Sequence, residues 1–577
     1  VRNGAREEEA MEEGLGEVNE ATLRVAARTM KDYFPSQSEP SGHEIRIIFK
    51  KAVEAASNRP GVKEANVWAN NFEISEEVVR RDRAAFSAVD GDLERFALQR
   101  MADNSSGRLN KESVERLHPS NPEREKLFEL VGGMPVFLPE GFVSNGRIKL
   151  SFSSSYTSAG QAVNRMFMGI HDAGQAILLP YEEAVKIEGL HLATASRADK
   201  EYKDSGRPIM DMTNVKGTPV NSDFSKQSAD EKWGEIQHPP IQGLANMILK
   251  ALDKLRLQRP TAVLADLSLW KKDLNSAYTL LSVRPDCASK FGVPIIGTLG
   301  VILVLIFLCG VFGWDATPAS FQVVTRTIVF EAKLVTEGEV EMYVDDGMGC
   351  AEDSVVRSDM GKFDDICCQL FNNPQAVQRS KDACGKREVF IGYVIDLNTG
   401  MVSVSEKNLL RALWHFACCD LEGRVSVKEM QRLASLGSRY SMICVELRPF
   451  TRALYRAASG WKNRQATFLL KEEAKQAIRM WRAMLFLLGS AEVVFGRHLE
   501  TFRENPVISW IVEFDSSLEG SGGLLYKIDQ GGVEVCLGGF AVALSSFGFT
   551  DDSSYQNTTE YIGVILGLIA LAKIGDA

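Results

Sequence analysis

The chain has 577 residues, enough for three or four domains with an ample core. Its formal net charge of −10 argues against a protein that is basic throughout and coats nucleic acid non-specifically. Ten cysteines include the neighbours Cys367–Cys368 and Cys418–Cys419 but no C-x-x-C spacing, so neither a disulfide framework nor a zinc knuckle is indicated and a reducing compartment is expected.

The N-terminal stretch REEEAMEEGLGEVNE is acidic and poor in apolar residues. It does not read as a signal peptide, and the expected location is intracellular, in cytoplasm or nucleus. Further on, NPEREKLFELVGG reads as a helix with Asn121 as its cap and Pro122 in its first turn. RPIMDMTN then places Arg207 four residues before Asp211, with Lys200 seven residues ahead of Arg207 and Lys203 between them. AVLADLSLWKKDL reads as a strand that ends on Asp273.

From Phe291 to Trp314 the chain carries no charge, and on length alone this run passes for a transmembrane helix. Pro294, four further internal glycines before Gly313 and a richness in β-branched residues favour buried strands instead. GWDATPASFQ follows, and then EVEMYVDDGMG, a strand-like run ending on Asp345 and Asp346, with Gly347 expected to let the chain turn just after the acids. Two adjacent carboxylates at a hairpin tip repel each other unless a cation bridges them, and Mg²⁺ suits carboxylate and phosphate oxygens together. Taken alone, such a pair is more often a solvated acidic turn.

SKDACGKREVFIGYVIDLNTG carries Lys381 and Lys386. Between Glu406 and Arg482 there are fifteen Lys and Arg against seven Asp and Glu. Arg448, Arg452 and Arg456 recur every four residues, as do Lys471, Lys475 and Arg479, so each set would align on one helix face. Such a row is either an ordinary solvated face or a stripe that tracks phosphates. Finally, ISWIVEFDSSLEGSGGLLYKI puts Asp515 at the end of a strand, and SYQNTTEYIGVILGLIALAKIG puts Glu560 at the start of an apolar helix.

Together these boxes resemble the polymerase motifs of reverse transcriptases. Asp273 to Tyr278 matches D-x-x-x-x-[FY], Gly313 to Gln322 matches G-W-x-x-[ST]-P-x-x-F-Q, and Tyr343 to Asp346 matches Y-[VM]-D-D, in the same order and at similar spacing. FIGY from Phe390 resembles the F-L-G-[YH] strand of the primer grip, and Arg207 to Asp211 the fingers motif R-x-x-x-D. The resemblance implies an RNA-directed DNA polymerase, a nucleotidyltransferase working on an RNA template with a DNA primer, or an RNA/DNA hybrid, and deoxynucleoside triphosphates. It implies two Mg²⁺ ions, replaceable by Mn²⁺, held by Asp273, Asp345 and Asp346. In-line displacement at phosphorus builds charge on the attacking and leaving oxygens, which two metals about 4 Å apart stabilise.

In that family the position of Tyr278 lies beneath the incoming sugar, where a ring collides with a 2′-hydroxyl, so the implied product is DNA. Lys200 and Arg207 resemble the pair that grips the triphosphate, Arg207 as a planar fork and Lys200 as a point charge. Phe321 and Gln322 match positions that support the template-primer and the nucleotide pocket. Lys381 is the implied general acid for the pyrophosphate, with Lys386 as a competitor. Arg448, Arg452 and Arg456 fall where a thumb would track the template-primer. The C-terminal stretch resembles the first half of ribonuclease H, with Asp515 and Glu560 as part of its carboxylate site. That family's third acid lies on a strand beyond the helix and the sequence ends at Ala577, so a truncated domain without cleavage activity is expected.

The expected architecture is α+β, a right-hand polymerase. Residues 1–154 form an N-terminal extension of unknown function, 155–402 the fingers and palm, 403–505 a helical, basic thumb and connection, and 506–577 a partial ribonuclease H-like α/β domain. A membrane span between Phe291 and Trp314 would put Asp273 and Asp345 on opposite sides of a bilayer, so no membrane association is expected. The whole resembles a retrotransposon polyprotein fragment, and CGVFGW and RPFTRALYRAASG resemble elements of the DIRS or a related tyrosine-recombinase kind. The alternative is a decayed or repurposed element product that binds template-primer without copying it.

Overall fold

The computed structural model describes residues 73–575 apart from 104–106, 147–149, 151, 201–202, 214, 216, 462, 464–465, 491–495, 504–509, 518, 529–533 and 544–555. The acidic N-terminal stretch lies outside the described residues. The chain forms two units, 1–499 and 500–577.

The first unit mixes helices with antiparallel sheets, an α+β arrangement. Among the described residues it includes α1 (Glu76–Ser87), α2 (Leu93–Asp103), α3 (Arg124–Val131) and α4 (Ser154–Asp172). Helix α3 begins later than expected, because Asn121 does not cap it. The Asn121 side-chain oxygen accepts from the Glu123 N–H at 3.0 Å and its amide donates to Glu331 at 2.8 Å, which closes a separate turn ahead of the helix.

Strand β1 (Ala176–Pro180) comes next, followed by the hairpin of β2 (Thr194–Lys200) and β3 (Lys203–Asp211). Helices α5 (Asp223–Trp233) and α6 (Ile241–Gln258) then lead to β4 (Leu267–Asp273). The uncharged run forms β5 (Gly292–Ile296) and β6 (Ile302–Phe307), an antiparallel pair in a sheet of order β1–β6–β5. Among the described residues no helix is long and apolar enough to cross a membrane.

The run lacks alternation because both faces of its sheet are covered. Val293, Ile295, Leu305 and Phe307 join the main core, whereas Val304 and Ile306 join a second cluster with Phe86, Leu93 and Phe96 of α1 and α2. Pro294 is tolerated because β5 is an edge strand of that sheet. The run is therefore strand and largely buried, as its composition predicts, and it lies outside the sheet that carries the acids. Its strands form a separate sheet, since their partner is β1.

The sheet that carries the acids has the order β7–β8–β4–β9, with β7 (Glu339–Tyr343), β8 (Asp346–Glu352) and β9 (Ala383–Gly385). Helices α6, α7 (Ala316–Val335) and α8 (Val356–Leu370) pack against it. Trp270 of β4 lies directly opposite Gly349, where a Cβ would approach the indole to 2.1 Å. Gly347 has the same role towards the Phe363 ring, at 2.6 Å. The turn expected at Gly347 is therefore not there; this glycine sits inside β8 and admits a core aromatic.

Beyond lie β10 (Arg387–Phe390), β11 (Tyr393–Asp396) and β12 (Met401–Val404). The β10–β11 turn is Ile391–Gly392, both at positive φ, as a two-residue hairpin loop of type I′ requires. Four helices follow: α9 (Glu406–Cys418), α10 (Val427–Ser441), α11 (Arg448–Ala458) and α12 (Glu472–Ser490). They share a core of Leu413, Phe416, Leu433, Leu454, Ile478 and Trp481. The short strands β13 (Arg424–Ser426) and β14 (Thr467–Leu469) pair with each other, and β15 (Gly496–His498) joins β12.

The second unit is an antiparallel sheet of β16 (Trp510–Ser516), β17 (Gly520–Ile528) and β18 (Glu534–Ala543), with α13 (Gln556–Gly575) packed on it. At Gly563 of α13 a Cβ would lie 2.3 Å from the Ser516 hydroxyl, so glycine lets the helix sit close to β16 there.

Candidate active site

Asp273, the last residue of β4, pairs directly with Asp346, the first residue of β8. Residues directly opposed in antiparallel strands project from the same face of the sheet. Tyr343 and Asp346 close the β7–β8 hairpin, which leaves Val344 and Asp345 as its two-residue loop. Val344 has φ +57°, a left-handed conformation that a β-branched side chain resists. Two hydrogen bonds hold the strained tip. Thr325 of α7 donates to the Val344 carbonyl at 3.1 Å, and the Leu274 N–H donates to the Asp345 carbonyl at 2.8 Å. The segments that carry the three acids, 72 residues apart, thus lie side by side at one end of one sheet.

Cations surround them. The Lys381 ammonium lies 2.7 Å from both carboxylate oxygens of Asp273, and Lys271 lies 3.6 Å from Asp346. The preceding residue, Lys272, is buried and bridges Asp364 at 2.8 Å and Asp382 at 2.6 Å. Burial raises the pKa of Asp346, against the pull of Lys271, and repulsion from Asp345 and Asp273 adds to the rise. Lys386 lies near the other end of β4, bonded to Asp353 and to the carbonyls of Ala265 and Leu267. Of the two lysines in that segment, only Lys381 reaches Asp273.

Among the described residues, no three His, Cys, Asp or Glu side chains are gathered as a ready-made metal cluster. The donor chemistry nevertheless fits Mg²⁺, which takes carboxylate oxygens. The like-charge crowding of Asp346 is the strain such a cation relieves, and in this structure lysines supply the balancing charge.

Tyr278 sits in a short 3₁₀ turn (Ala277–Leu280) shortly after Asp273. Its ring packs on Phe312 at 4.8 Å and edge-on to Phe321 at 5.7 Å. Phe312 is 40% exposed and was not singled out from the sequence, where the only signal was an aromatic one residue ahead of the Gly-Trp box. Its carbonyl accepts from the Met210 N–H at 2.9 Å, which ties this wall to β3. Gly313, at φ +107°, would place a Cβ 2.0 Å from the Met210 carbonyl, so the crossing requires glycine. Phe321 is fully buried and Gln322 is buried beside it in α7.

Arg207 lies on β3 opposite Ala198, and Lys200 on β2 opposite Lys203. The side chains of Arg207 and Lys200 lie outside the described residues.

Arg448, Arg452 and Arg456 all lie exposed on α11, with Arg456 paired to Glu473 at 2.9 Å. The second basic row is more fully neutralised. Lys475 pairs with Glu422 at 2.6 Å and Arg479 with Glu472 at 2.7 Å. Arg482 is buried and donates to the Phe416, Ala417 and Cys419 carbonyls at the end of α9, a structural cap.

In the second unit, Asp515 of β16 lies opposite Gly522 and accepts from the Ser516 N–H at 3.0 Å. Glu560 lies in α13 one turn before Gly563, the residue packed on Ser516. Its side chain lies outside the described residues.

No protein-family model matches this chain, and no curated protein matches it. Among solved structures, the chain is similar to a foamy viral protease-reverse transcriptase in complex with double-stranded DNA, at 14% identity over 79% of this chain and 71% of that one. The TM-score is 0.42, too low for the likeness to carry an argument.

Proposed function

We propose that the chain is an RNA-directed DNA polymerase of a retrotransposon, which extends a DNA primer on an RNA template with deoxynucleotides. The observation that carries this reading is the meeting of Asp273 with Asp345 and Asp346 at one end of the β4–β8 pair. When bound, two Mg²⁺ ions, or Mn²⁺ in their place, would supply charge stabilisation to the attacking and leaving oxygens. Asp273, Asp345 and Asp346 are the residues that would hold them.

The remaining roles fall to side chains around that end of the sheet. Tyr278, braced by Phe312 and Phe321, would exclude a 2′-hydroxyl. Arg207 and Lys200 would hold the triphosphate, and Gln322 would support the nucleotide pocket from α7. Lys381 would carry a proton to the pyrophosphate leaving group. Arg448, Arg452 and Arg456 would follow the template-primer backbone. Asp515 and Glu560 would form part of a ribonuclease H-like carboxylate site in the second unit.

The test is primer extension on an RNA template with Mg²⁺. The parent should extend the primer, and Asp345→Asn should not, while template-primer affinity stays within about threefold because one carboxylate contributes little to backbone binding. Extension by Asp345→Asn at near the parent rate would refute the assignment. A second reading, a protein that binds template-primer without copying it, is favoured by the closed Lys381–Asp273 pair. Tight template-primer binding by the parent, with no extension in Mg²⁺ or Mn²⁺, would establish that reading instead.

A further inference from the structure

A cavity of about 400 Å³ opens between α1, α2 and the C-terminal end of α4, lined by Arg81, Arg100, His171, Asp172, Ala173 and Gly174. Its chemistry is set by the ion pair beneath it. Asp82 is fully buried and accepts from the Leu178 N–H at 2.8 Å, and its second contact is with His171 Nε2 at 2.7 Å. His171 Nδ1 lies 3.2 Å from the Asp172 carboxylate. A carboxylate beside each ring nitrogen favours the imidazole that carries both protons. Burial alone would lower its pKa, but the bonds to Asp82 and then Asp172 outweigh burial and raise it. Asp82 is thereby neutralised from within the fold.

The lining itself carries Arg81, Arg100 and the His171 cation against the single exposed carboxylate of Asp172. Since the His171 charge is already offset by the buried Asp82, the net excess is one positive charge, which suits a phosphate group. Arg100 rests over the Phe96 ring at 5.1 Å, a contact that uses none of its N–H donors. Arg81 approaches Asp82 only at 3.8 Å. Two guanidinium groups lining one opening suit the several oxygens of a phosphate better than the two of a carboxylate.

The wall of the cavity is also bonded to the segment that carries Tyr278. Arg108 donates to the Gly174 carbonyl at 3.4 Å and to Ser282 at 3.2 Å, and the Gln175 amide donates to the Thr279 carbonyl at 2.8 Å.

We propose that this cavity is a phosphate-binding site, built by Arg81, Arg100 and the Asp82-anchored His171, on elements separate from those that carry the carboxylates. Its ligand is a phosphate group, either free or at the 5′ end of a nucleic-acid strand. The proposal does not depend on the polymerase reading.

The test uses the full chain and two probes, inorganic phosphate and a single-stranded oligonucleotide with or without a 5′-phosphate. The parent is compared with Arg81→Gln/Arg100→Gln and with Asp172→Asn. Phosphate affinity should fall about tenfold or more in the double variant, since both forks are lost. It should rise in Asp172→Asn, which removes the rim charge from an exposed position while Asp82 still pairs with His171 Nε2. A strand end is the ligand if the 5′-phosphate tightens oligonucleotide binding in the parent and this gain vanishes in the double variant. A free anion is the ligand if only the inorganic phosphate affinity responds. Equal affinities for both probes in the parent, the double variant and Asp172→Asn would overturn the proposal. Because Asp172→Asn should move affinity upwards, a folding defect in the double variant cannot imitate the expected pair of results.

Discussion

Asp273 and Lys381 form one half of a crossed double ion pair. The consecutive residues Lys272 and Asp273 of β4 face the consecutive residues Asp382 and Lys381, so that each lysine meets the other segment's aspartate. The Lys272 pair is buried and shared with Asp364, whereas Lys381 remains partly exposed. The inner pair therefore anchors the segment and the outer pair can open.

An outer pair that opens competes with divalent cations for Asp273. Lys381→Met should bind Mn²⁺ about tenfold more tightly, the effect of removing one charge a few ångströms from a carboxylate. Mn²⁺ titration followed by electron paramagnetic resonance measures this without any turnover. Unchanged affinity would mean that Lys381 leaves Asp273 freely. Lys272→Met should instead destabilise the fold by about 3 kcal/mol, because two carboxylates then lose their buried partner.

The aromatic wall predicts two separable effects on sugar choice. Tyr278→Ala should raise ribonucleotide use relative to deoxynucleotide use, read as the ratio of the two kcat/KM values. Phe312→Ala should raise it less, since Phe312 braces the Tyr278 ring at 4.8 Å. If neither ratio moves, the wall does not face the sugar.

The two basic rows should behave differently towards salt. Replacing Arg448, Arg452 and Arg456 by Gln should flatten the dependence of log affinity on log salt for template-primer, by about 0.7 to 0.9 units per lost phosphate contact. Replacing Lys475 and Arg479 by Gln should leave the slope near the parent's, because these side chains are paired to Glu422 and Glu472. Equal slopes in all three proteins would return the arginines to an ordinary solvated face.

The Asp82–His171 pair predicts a dependence of stability on pH. His171 has a folded pKa above its ordinary 6.5, so its contribution is complete below about pH 6.5 and fades as pH climbs through the raised folded value. Asp82→Asn removes the main group that raises it. The variant should be less stable than the parent by about 3 kcal/mol near pH 6, with a flatter profile at higher pH. Denaturant melts across pH 5 to 9 would show parallel curves if the histidine were neutral throughout.

Where single short segments impose their own geometry, the reading from sequence and the structure coincide. AVLADLSLWKKDL contains a strand ending on Asp273, and EVEMY is a strand leading into the two acids. The uncharged run is strand because its glycines, proline and β-branched residues oppose a helix of spanning length. The spacing of Arg448, Arg452 and Arg456 placed them on one face as soon as the segment became a helix.

Tertiary packing decided the rest, since partners distant in sequence leave no local mark. Gly347 reads as a turn glycine until Phe363 from a later helix occupies the space of its missing side chain. Phe312 gains a role only when Tyr278 is folded against it, and Lys381 is separated from Lys386 only by which end of β4 each one meets. The cavity of Arg81, Arg100 and His171 draws on three helices, and its charge depends on a buried aspartate 89 residues from its histidine. Sequence alone determined the chemistry-bearing residue types and their local conformations, because those follow from side-chain sterics and periodicity. Which charges meet, and which are neutralised, depends on contacts between segments far apart in the chain, and only the folded chain brings those together.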